Sequence, residues 1–165
     1  PLEFWRQLRP VLVTAFSTSS SAATLPTALA TARAPLGLRP TVSGFVLPLG
    51  ATMNMAGTAL YEGCVVLFVA QIFGIELGLG QQLTLLLLAV ISAVAVAAIP
   101  GGSLPLIAGL LVAFGIPPEG IGIILGVDRL LDMARTTVNV GADLVTAAIV
   151  DEGTQASVPP AGASA

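Results

Sequence analysis

Long apolar stretches alternate with short segments of small, polar, glycine and proline residues along most of the chain. The uncharged run from Leu83 to Ile99 is close to the length of about 20 residues that spans a bilayer. A second uncharged run of that order extends from Val42 to Tyr61. The pattern predicts an all-α membrane protein built from four units: residues 2–34, 42–73, 81–115 and 119–150.

The first unit is predicted to be a re-entrant helical hairpin, which enters and leaves the membrane by the same side. Four of the six arginines flank its apolar part: Arg6, Arg9, Arg33 and Arg39. By the positive-inside rule, both of its ends then face the cytoplasm. Its turn falls on the hydroxyl-rich run from Ser17 to Ser21, because non-helical backbone at membrane depth is tolerated only where protein or a water-filled cavity satisfies it.

The other three units extend this plan. Residues 42–73 are predicted to form a transmembrane helix that is interrupted around Asn54, which stands between glycines. Residues 81–115 have two short apolar arms around a Pro-Gly-Gly-Ser break, which predicts a second re-entrant hairpin, opened from the opposite face. Residues 119–150 then form a transmembrane helix that returns to the cytoplasm. Paired interrupted segments of this kind are typical of transporters built from inverted repeats, with the binding site at the midplane.

Composition supports the membrane class and excludes others. The 165 residues are 55% hydrophobic and only 9% charged, against roughly 25% charged in soluble domains. Histidine and lysine are absent and Cys64 is the only cysteine, so an enzyme would lack a plausible catalytic base. A net charge of −3 without a basic face argues against nucleic-acid binding. Residues 151–165, rich in Ala, Ser, Gly and Pro, are predicted to be disordered.

A polar stripe in the fourth unit carries the candidate chemistry. Its members recur at helical spacing and so share one helix face: Asp132, Arg135, Thr136, Asn139 and Asp143. Ionisable residues in a membrane helix cost at least about 2.5–3.5 kcal/mol each on insertion scales, so a stripe of them needs compensating partners. A purely structural network, in which the two aspartates neutralise the arginine, is the alternative to a binding site.

The stripe suits an acidic amino acid and a small cation. The planar fork of Arg135 favours bidentate capture of a carboxylate. Asp132 would hold an ammonium group, while Thr136 and Asn139 would bond the substrate backbone. Asp143 is a hard oxygen ligand for a small cation beside the carbonyls of the broken helix. Helix N-termini at both hairpin turns would add N–H groups and positive dipole ends toward an anion.

Four motifs occur in order along the chain: Ser19-Ser20-Ser21 with Thr24-Leu25-Pro26, Asn54-Met55-Ala56-Gly57-Thr58, Ile99-Pro100-Gly101-Gly102, and Asp132-Met133-Ala134-Arg135-Thr136-Thr137-Val138-Asn139. Together they resemble those of the glutamate/aspartate transporters, also called dicarboxylate/amino acid:cation symporters, over residues 2 to about 150. The resemblance implies a mobile transport domain that moves like an elevator against a separate scaffold, in a homotrimer of the cell (inner) membrane. The second hairpin would be the extracellular gate, and both termini of this chain would be cytoplasmic. The opening residues are not typical of a cleavable leader, which predicts that this segment belongs to a longer chain. The resemblance implies that the scaffold helices precede it.

The resemblance also implies site residues by motif position. The implied substrate contacts are Ser20, Thr58, the backbone of Ile99, Pro100, Gly101 and Gly102, and the side chains of Asp132, Arg135, Thr136 and Asn139. The implied sodium contacts are Gly50, Asn54, Asn139 and Asp143 at one site, and Thr52 and Met55 at another. Sodium ions, in uncertain number and with protons possible, would be the coupled cations.

Two departures and three rival functions accompany the resemblance. Ala56 stands where the family usually has an aspartate that belongs to a further sodium site, which predicts weaker or altered cation coupling. Ser103 follows the glycines of the second hairpin where a smaller residue is commoner.

The runner-up function is a C4-dicarboxylate:cation symporter, which would need Arg135 but not Asp132. An ion channel and a structural membrane subunit complete the rival functions.

Overall fold

The predicted all-α class is confirmed over residues 2–96 and 98–157, the residues that the computed structural model describes. No strand occurs within these ranges. The helices are, in chain order, α1 (Leu2–Thr18), α2 (Ser21–Arg33), α3 (Pro40–Met53), α4 (Ala56–Ile72), α5 (Leu79–Ala95), α6 (Leu104–Ala113), a short 3₁₀ helix (Pro118–Gly120) and α7 (Ile121–Ser157).

Helices α1 and α2 pack against each other as a hairpin whose turn consists of Ser19 and Ser20. The backbone of Ser19 has φ 50°, a left-handed conformation that reverses the chain over two residues. Ser20 then caps α2, because its Oγ accepts a hydrogen bond from the N–H of Ala23 at 3.2 Å. The hydroxyl run therefore ends one helix and starts the next.

Helices α3 and α4 are separated by only two non-helical residues, Asn54 and Met55. The break is narrower than the predicted interruption, since the glycines on either side of it are helical. By length and apolar composition, Pro40–Ile72 is the one segment of the described residues that could cross a membrane. Helices α5 and α6 are apolar but shorter than such a span.

The second helix pair has a longer connection than the sequence predicts. Helix α5 ends at Ala95, whereas the sequence predicts an apolar arm that extends to Ile99. The connection reaches Ser103, which precedes α6, and Gly101 within it has φ 72°. Apolar character alone does not reveal this end, because the residues after Ala95 are as hydrophobic as those within α5.

The final helix corrects the predicted boundary of the disordered tail. Helix α7 continues beyond residue 150 to Ser157, and Asp151 is buried. The Arg39 side chain donates to Asp151 Oδ1 at 2.8 Å and to the Asp151 carbonyl at 2.7 Å, which fixes the end of α7 to the start of α3. Residues 158–165, the rest of the predicted tail, lie outside the described residues.

Two apolar cores support the fold, and α7 contributes to both. One core joins α4, α5 and α6 with the start of α7, around residues such as Val66, Ile107 and Ile124. The other joins α1, α2 and α3 with the later part of α7, around residues such as Leu8 and Leu144. The polar stripe of α7 lies between these cores, where the hairpin turns and the α3–α4 break also meet.

Candidate functional site

The structure buries every member of the predicted polar stripe: Asp132, Arg135, Thr136, Asn139 and Asp143. Their hydrogen bonds reach the α3–α4 break, the start of α4 and the α5–α6 connection. Leu130 and Val138, at intervening positions of the same helix, are exposed. The burial of a charged face and the exposure of apolar side chains on one helix indicate that polar partners, rather than the apolar cores, hold this part of α7.

Arg135 is the centre of a buried polar network. Its guanidinium donates to Asp132 Oδ1 and to Ser103 Oγ, so it joins α7 to the connection before α6. The same group lies over the Tyr61 ring at 5.2 Å from the ring centroid. The Tyr61 hydroxyl in turn donates to Asp128 Oδ1 at 2.6 Å. The arginine is thus held by a carboxylate, a hydroxyl and an aromatic face.

The turns of the two helix pairs meet beside Arg135. The N–H of Gly101 donates to Asp132 Oδ2 at 2.9 Å, and Ser20 Oγ donates to the carbonyl of Ala98 at 2.9 Å. These bonds tie the α5–α6 connection both to α7 and to the α1–α2 turn. Gly102 is half-buried in this connection, whereas Ile99 and Pro100 are less enclosed.

A cavity of about 10 Å³ lies between the turns, near the lower limit of what holds one water molecule. Its lining residues are Ser19, Ser21, Met55, Thr58, Val96, Ala98, Ile99, Arg135, Thr136 and Asn139. An amino acid is far larger than this space. Entry of such a ligand therefore requires the turns to separate, which would break the bonds of Gly101 and Ser20.

A second group of oxygen atoms surrounds the α3–α4 break. The Asn54 side chain donates to Asp143 Oδ1 at 2.8 Å, and the Asn139 Oδ1 accepts from the N–H of Gly57 at 2.7 Å. Gly50 lies so close to Asp143 that an added Cβ would be 2.5 Å from Oδ1. Carboxylate, amide and backbone oxygens are the ligands that hard cations prefer. The arrangement suits a small cation better than a transition metal, and residues 2–96 and 98–157 contain no cluster of three or more His, Cys, Asp or Glu residues that could hold a metal ion.

The structure does not bring every predicted site residue together. The Thr52 side chain is exposed, and its hydroxyl donates to the Leu49 carbonyl of its own helix at 2.8 Å. Met55 is buried instead, and its sulfur accepts from Asn139 Nδ2 at 3.3 Å. Asn139 Nδ2 also donates to Thr58 Oγ1 at 3.1 Å, so Thr58 and Asn139 share one network. Thr52 and Met55 stay a prediction as a cation site.

Sequence reasoning missed Glu62, which is fully buried in α4. Its Oε2 accepts from the Ser92 hydroxyl of α5, while Oε1 finds no hydrogen-bond partner among the described residues. A carboxyl group directly after an uncharged run of membrane-spanning length was the signal that could have identified it. Tyr61, Asp128 and Ser103 were also missed, since their roles depend on contacts between different helices.

Gly57→Ala is expected to destabilise the protein by about 1–3 kcal/mol, the usual cost of overpacking. An added Cβ would lie 2.7 Å from the Arg135 carbonyl and 3.0 Å from Val138 Cβ, so α4 would have to move away from α7. The midpoint of thermal unfolding measures the effect. Gly63→Ala is the matched control in the same helix, because its Cβ would meet nothing within 4 Å. Equal midpoints for the two variants would contradict the tight contact between α4 and α7.

Comparison with known proteins connects this site to one family. The model of the sodium:dicarboxylate symporter family matches residues 1–152. An excitatory amino acid transporter of Caenorhabditis elegans is 42% identical over 150 residues, which are 91% of this chain and 30% of that protein. Human excitatory amino acid transporter 2 is 43% identical over 150 residues, covering 91% of this chain and 26% of its own length. Mouse excitatory amino acid transporter 4 is 41% identical over 155 residues, which are 94% of this chain and 28% of that protein.

The chain spans between about a quarter and a third of the length of these curated relatives. All four motifs of the resemblance fall inside the matched residues, including the polar stripe of α7. The matched part therefore contains the polar network around Arg135 and the oxygen cluster around Asp143.

Proposed function

Because the chain belongs to the sodium:dicarboxylate symporter family, we propose that it is the substrate-binding part of a secondary active symporter for aspartate or glutamate. The family and the relatives are transporters, so the chain is not an enzyme. Membership in this family implies a location in a membrane and transport that is coupled to sodium. The observation that carries the proposal is the buried Arg135, which bonds Ser103 of the α5–α6 connection and lines the same cavity as Ser19 of the α1–α2 turn.

The contacts of Arg135 and Asp132 fit a zwitterion with an extra carboxylate. In this structure Arg135 and Asp132 form an ion pair, and Asp132 also accepts a hydrogen bond from the N–H of Gly101. A substrate carboxylate would replace Asp132 on the arginine, and a substrate ammonium would replace the arginine on Asp132. Such an exchange keeps every buried charge paired, which matters because an uncompensated buried charge costs several kcal/mol.

The mechanism we propose is of the elevator type. The α1–α2 and α5–α6 pairs are re-entrant hairpins of opposite orientation, related as parts of an inverted repeat. The α5–α6 turn is the outer gate, since its Gly101 N–H donates to Asp132 and its Ser103 Oγ accepts a hydrogen bond from Arg135. The seven α-helices described here move together against a scaffold supplied by other parts of the same protein. The whole protein is a homotrimer of the cell membrane, and the ends of this segment lie in the cytoplasm.

Uptake into proteoliposomes tests the proposal. The full-length protein is expected to accumulate radiolabelled aspartate when sodium is present outside and to lose this uptake when choline replaces sodium. Sodium-independent flux that follows only the voltage would overturn the proposal in favour of a channel.

A C4-dicarboxylate is the second candidate substrate, and the dicarboxylate in the name of the family favours it. A dicarboxylate would use Arg135 and leave Asp132 without an ammonium partner. Competition distinguishes the two candidates. Succinate should displace labelled aspartate poorly if Asp132 binds an ammonium, and as well as unlabelled aspartate if it does not.

Protons are also proposed to be coupled, and Glu62 is the candidate carrier. Glu62 is fully buried with one oxygen unpartnered among the described residues, an environment that disfavours a bare carboxylate and accommodates a carboxylic acid. We expect aspartate uptake to accelerate as the outside is acidified and expect Glu62→Gln to remove this dependence. Initial uptake rates measured between about pH 6 and pH 8 give the comparison. A Glu62→Gln variant with the full pH dependence would exclude this carrier.

Ala56 predicts a lower number of coupled sodium ions than the family usually has. The side chain is exposed at the start of α4, beside the oxygen cluster of the α3–α4 break, and it offers no ligand. The reversal potential of aspartate transport, measured over a range of sodium gradients, gives the stoichiometry. We expect Ala56→Asp to increase the sodium dependence of this potential, and a wild-type stoichiometry equal to the family's usual value would contradict the prediction.

A further inference from the structure

A groove between α1 and α7 lies outside the site described above. Its volume is about 570 Å³, within the usual range of roughly 300–1,000 Å³ for ligand sites. The lining residues of α1 follow one face of that helix from Trp5 to Ser17, and Thr137 of α7 also lines the groove. A Cβ added at Gly141 of α7 would lie 3.6 Å from Leu12 Cδ2 and 4.0 Å from the Trp5 ring. The two helices therefore touch beside the groove, which fixes its shape.

Two arginines line one end of this groove. Arg6 and Arg9 are one helical turn apart on α1, and both are exposed. Arg6 pairs with Glu3 at 3.2 Å, but both side chains are largely exposed, and surface ion pairs of this kind are weak. Arg9 forms no ion pair among the described residues. This end of the groove keeps an excess of positive charge and favours an anionic group.

The rest of the groove is apolar. Val13 and Phe16 line it and are exposed. Two hydroxyl residues also line it, but each is bonded within its own helix. The Ser17 hydroxyl donates to the Val13 carbonyl at 2.8 Å, and the Thr137 hydroxyl donates to the Met133 carbonyl at 2.8 Å. The groove thus combines a charged end with an apolar length, which matches the headgroup and the acyl chain of a lipid.

The length of the groove corresponds to one leaflet of a bilayer. From Trp5 to Phe16 the helix rises about 17 Å, which is roughly half of the hydrocarbon thickness of about 30 Å. Tryptophan is enriched at the membrane–water interface, and the positive-inside rule assigns the arginine end to the cytoplasm. The cytoplasmic leaflet is also the one that carries anionic lipids, which attract basic residues at its surface.

We propose that this groove binds one anionic phospholipid of the cytoplasmic leaflet. The phosphate group bonds Arg6 and Arg9, and one acyl chain lies along Val13 and Phe16. The inference rests on the membrane orientation given under the proposed function and is independent of the transported substrate. Another segment of the same protein is the alternative occupant, but an apolar helix would leave both arginines without an anionic partner. The charge of the groove therefore favours the lipid.

Native mass spectrometry of the full-length protein tests the proposal. The dissociation constant of the first bound lipid is compared for palmitoyl-oleoyl phosphatidylglycerol and for the phosphatidylcholine with the same chains. The wild type should bind phosphatidylglycerol more tightly. Arg9→Gln is expected to weaken this binding roughly five-fold, which corresponds to about 1 kcal/mol for one arginine near an anionic surface. Val13→Trp fills the apolar part and keeps both arginines, so it should weaken the binding of both lipids.

Arg33→Gln is the matched control, since Arg33 is an exposed arginine of the same hairpin that does not line the groove. It should bind phosphatidylglycerol as the wild type does. An equal loss in Arg33→Gln and Arg9→Gln would overturn the proposal, because it indicates attraction by overall charge. A wild type that binds the two lipids equally, or retains neither because another segment covers the groove, would overturn it as well.

Aspartate binding by the same proteins separates this inference from the proposed function. Arg9→Gln should keep the wild-type affinity for aspartate, because Arg9 lies outside the polar network around Arg135. A wild type that binds phosphatidylglycerol in the groove but does not bind aspartate would overturn the proposed function alone. A wild type that binds aspartate but shows no preference for phosphatidylglycerol would overturn the lipid site alone.

Discussion

Replacing Arg135 with cysteine is expected to abolish the transport of aspartate and glutamate. The guanidinium is the one buried cation among the described residues of the site, and hydrogen bonds to charged groups contribute about 1.5–3 kcal/mol each. Loss of a bidentate contact therefore weakens binding of the acidic substrate by about 100-fold or more. Arg135→Lys should restore only part of the affinity, because an ammonium keeps the charge but lacks the planar fork.

The selectivity of the variant separates a lost contact from a misfolded protein. Binding of a neutral amino acid, such as serine, should be retained or improved in Arg135→Cys, while binding of aspartate is lost. Arg129→Cys is the matched control, since Arg129 lies on the same helix and is exposed. If Arg135→Cys kept a preference for acidic over neutral amino acids, the central assignment of the site would be wrong.

The polar stripe shows what the sequence could predict about the site. Its members share a helical face in a largely apolar unit, and the structure buries all of them. Periodicity within one helix is a local property, so the spacing of Asp132, Arg135 and Asn139 is sufficient to place them together. The same holds for the α1–α2 turn, where consecutive hydroxyl residues end one helix and cap the next.

Contacts between helices could not be predicted in this way. Ser103 bonds Arg135 and Tyr61 bonds Asp128, although each partner is far away in the sequence. Such pairs depend on which faces meet after folding, and a single sequence contains no direct record of that. The Arg39 pairing with Asp151 belongs to the same class. It explains why a segment with the composition of a disordered tail instead begins as a helix anchored by an ion pair.

The end of α5 differs from the prediction for another reason. Residues 96–99 are apolar, which favours their assignment to the helix, yet Val96 has ψ 133°, an extended conformation. The competing interactions are tertiary, because the carbonyl of Ala98 accepts from Ser20 and the N–H of Gly101 reaches Asp132. A continuous helix would use these backbone groups internally, and the two turns would not be joined.

Gly50→Ala is expected to weaken the apparent affinity for sodium more than any change that leaves the polar side chains intact. The added Cβ would lie 2.5 Å from Asp143 Oδ1 and 2.7 Å from Asp143 Cγ, so the carboxylate would have to move away from Asn54. We expect the sodium concentration for half-maximal aspartate binding to rise about ten-fold, which corresponds to about 1.4 kcal/mol. Aspartate affinity at saturating sodium should fall much less, because the added methyl group meets Asp143 and not the Arg135 network.

Two further variants make the result specific to the cation. Asp143→Asn retains the shape of the side chain and removes its charge, so it should raise the half-maximal sodium concentration at least as much as Gly50→Ala. Gly44→Ala adds the same methyl group to the same helix, where its nearest contact would be an ordinary 3.8 Å from the Arg33 guanidinium, and it should behave as the wild type. An unchanged sodium dependence in both Gly50→Ala and Asp143→Asn would show that the cation binds elsewhere. The oxygen cluster at the α3–α4 break would then be a structural link between α3 and α7, with Asn54 and Asp143 as its partners.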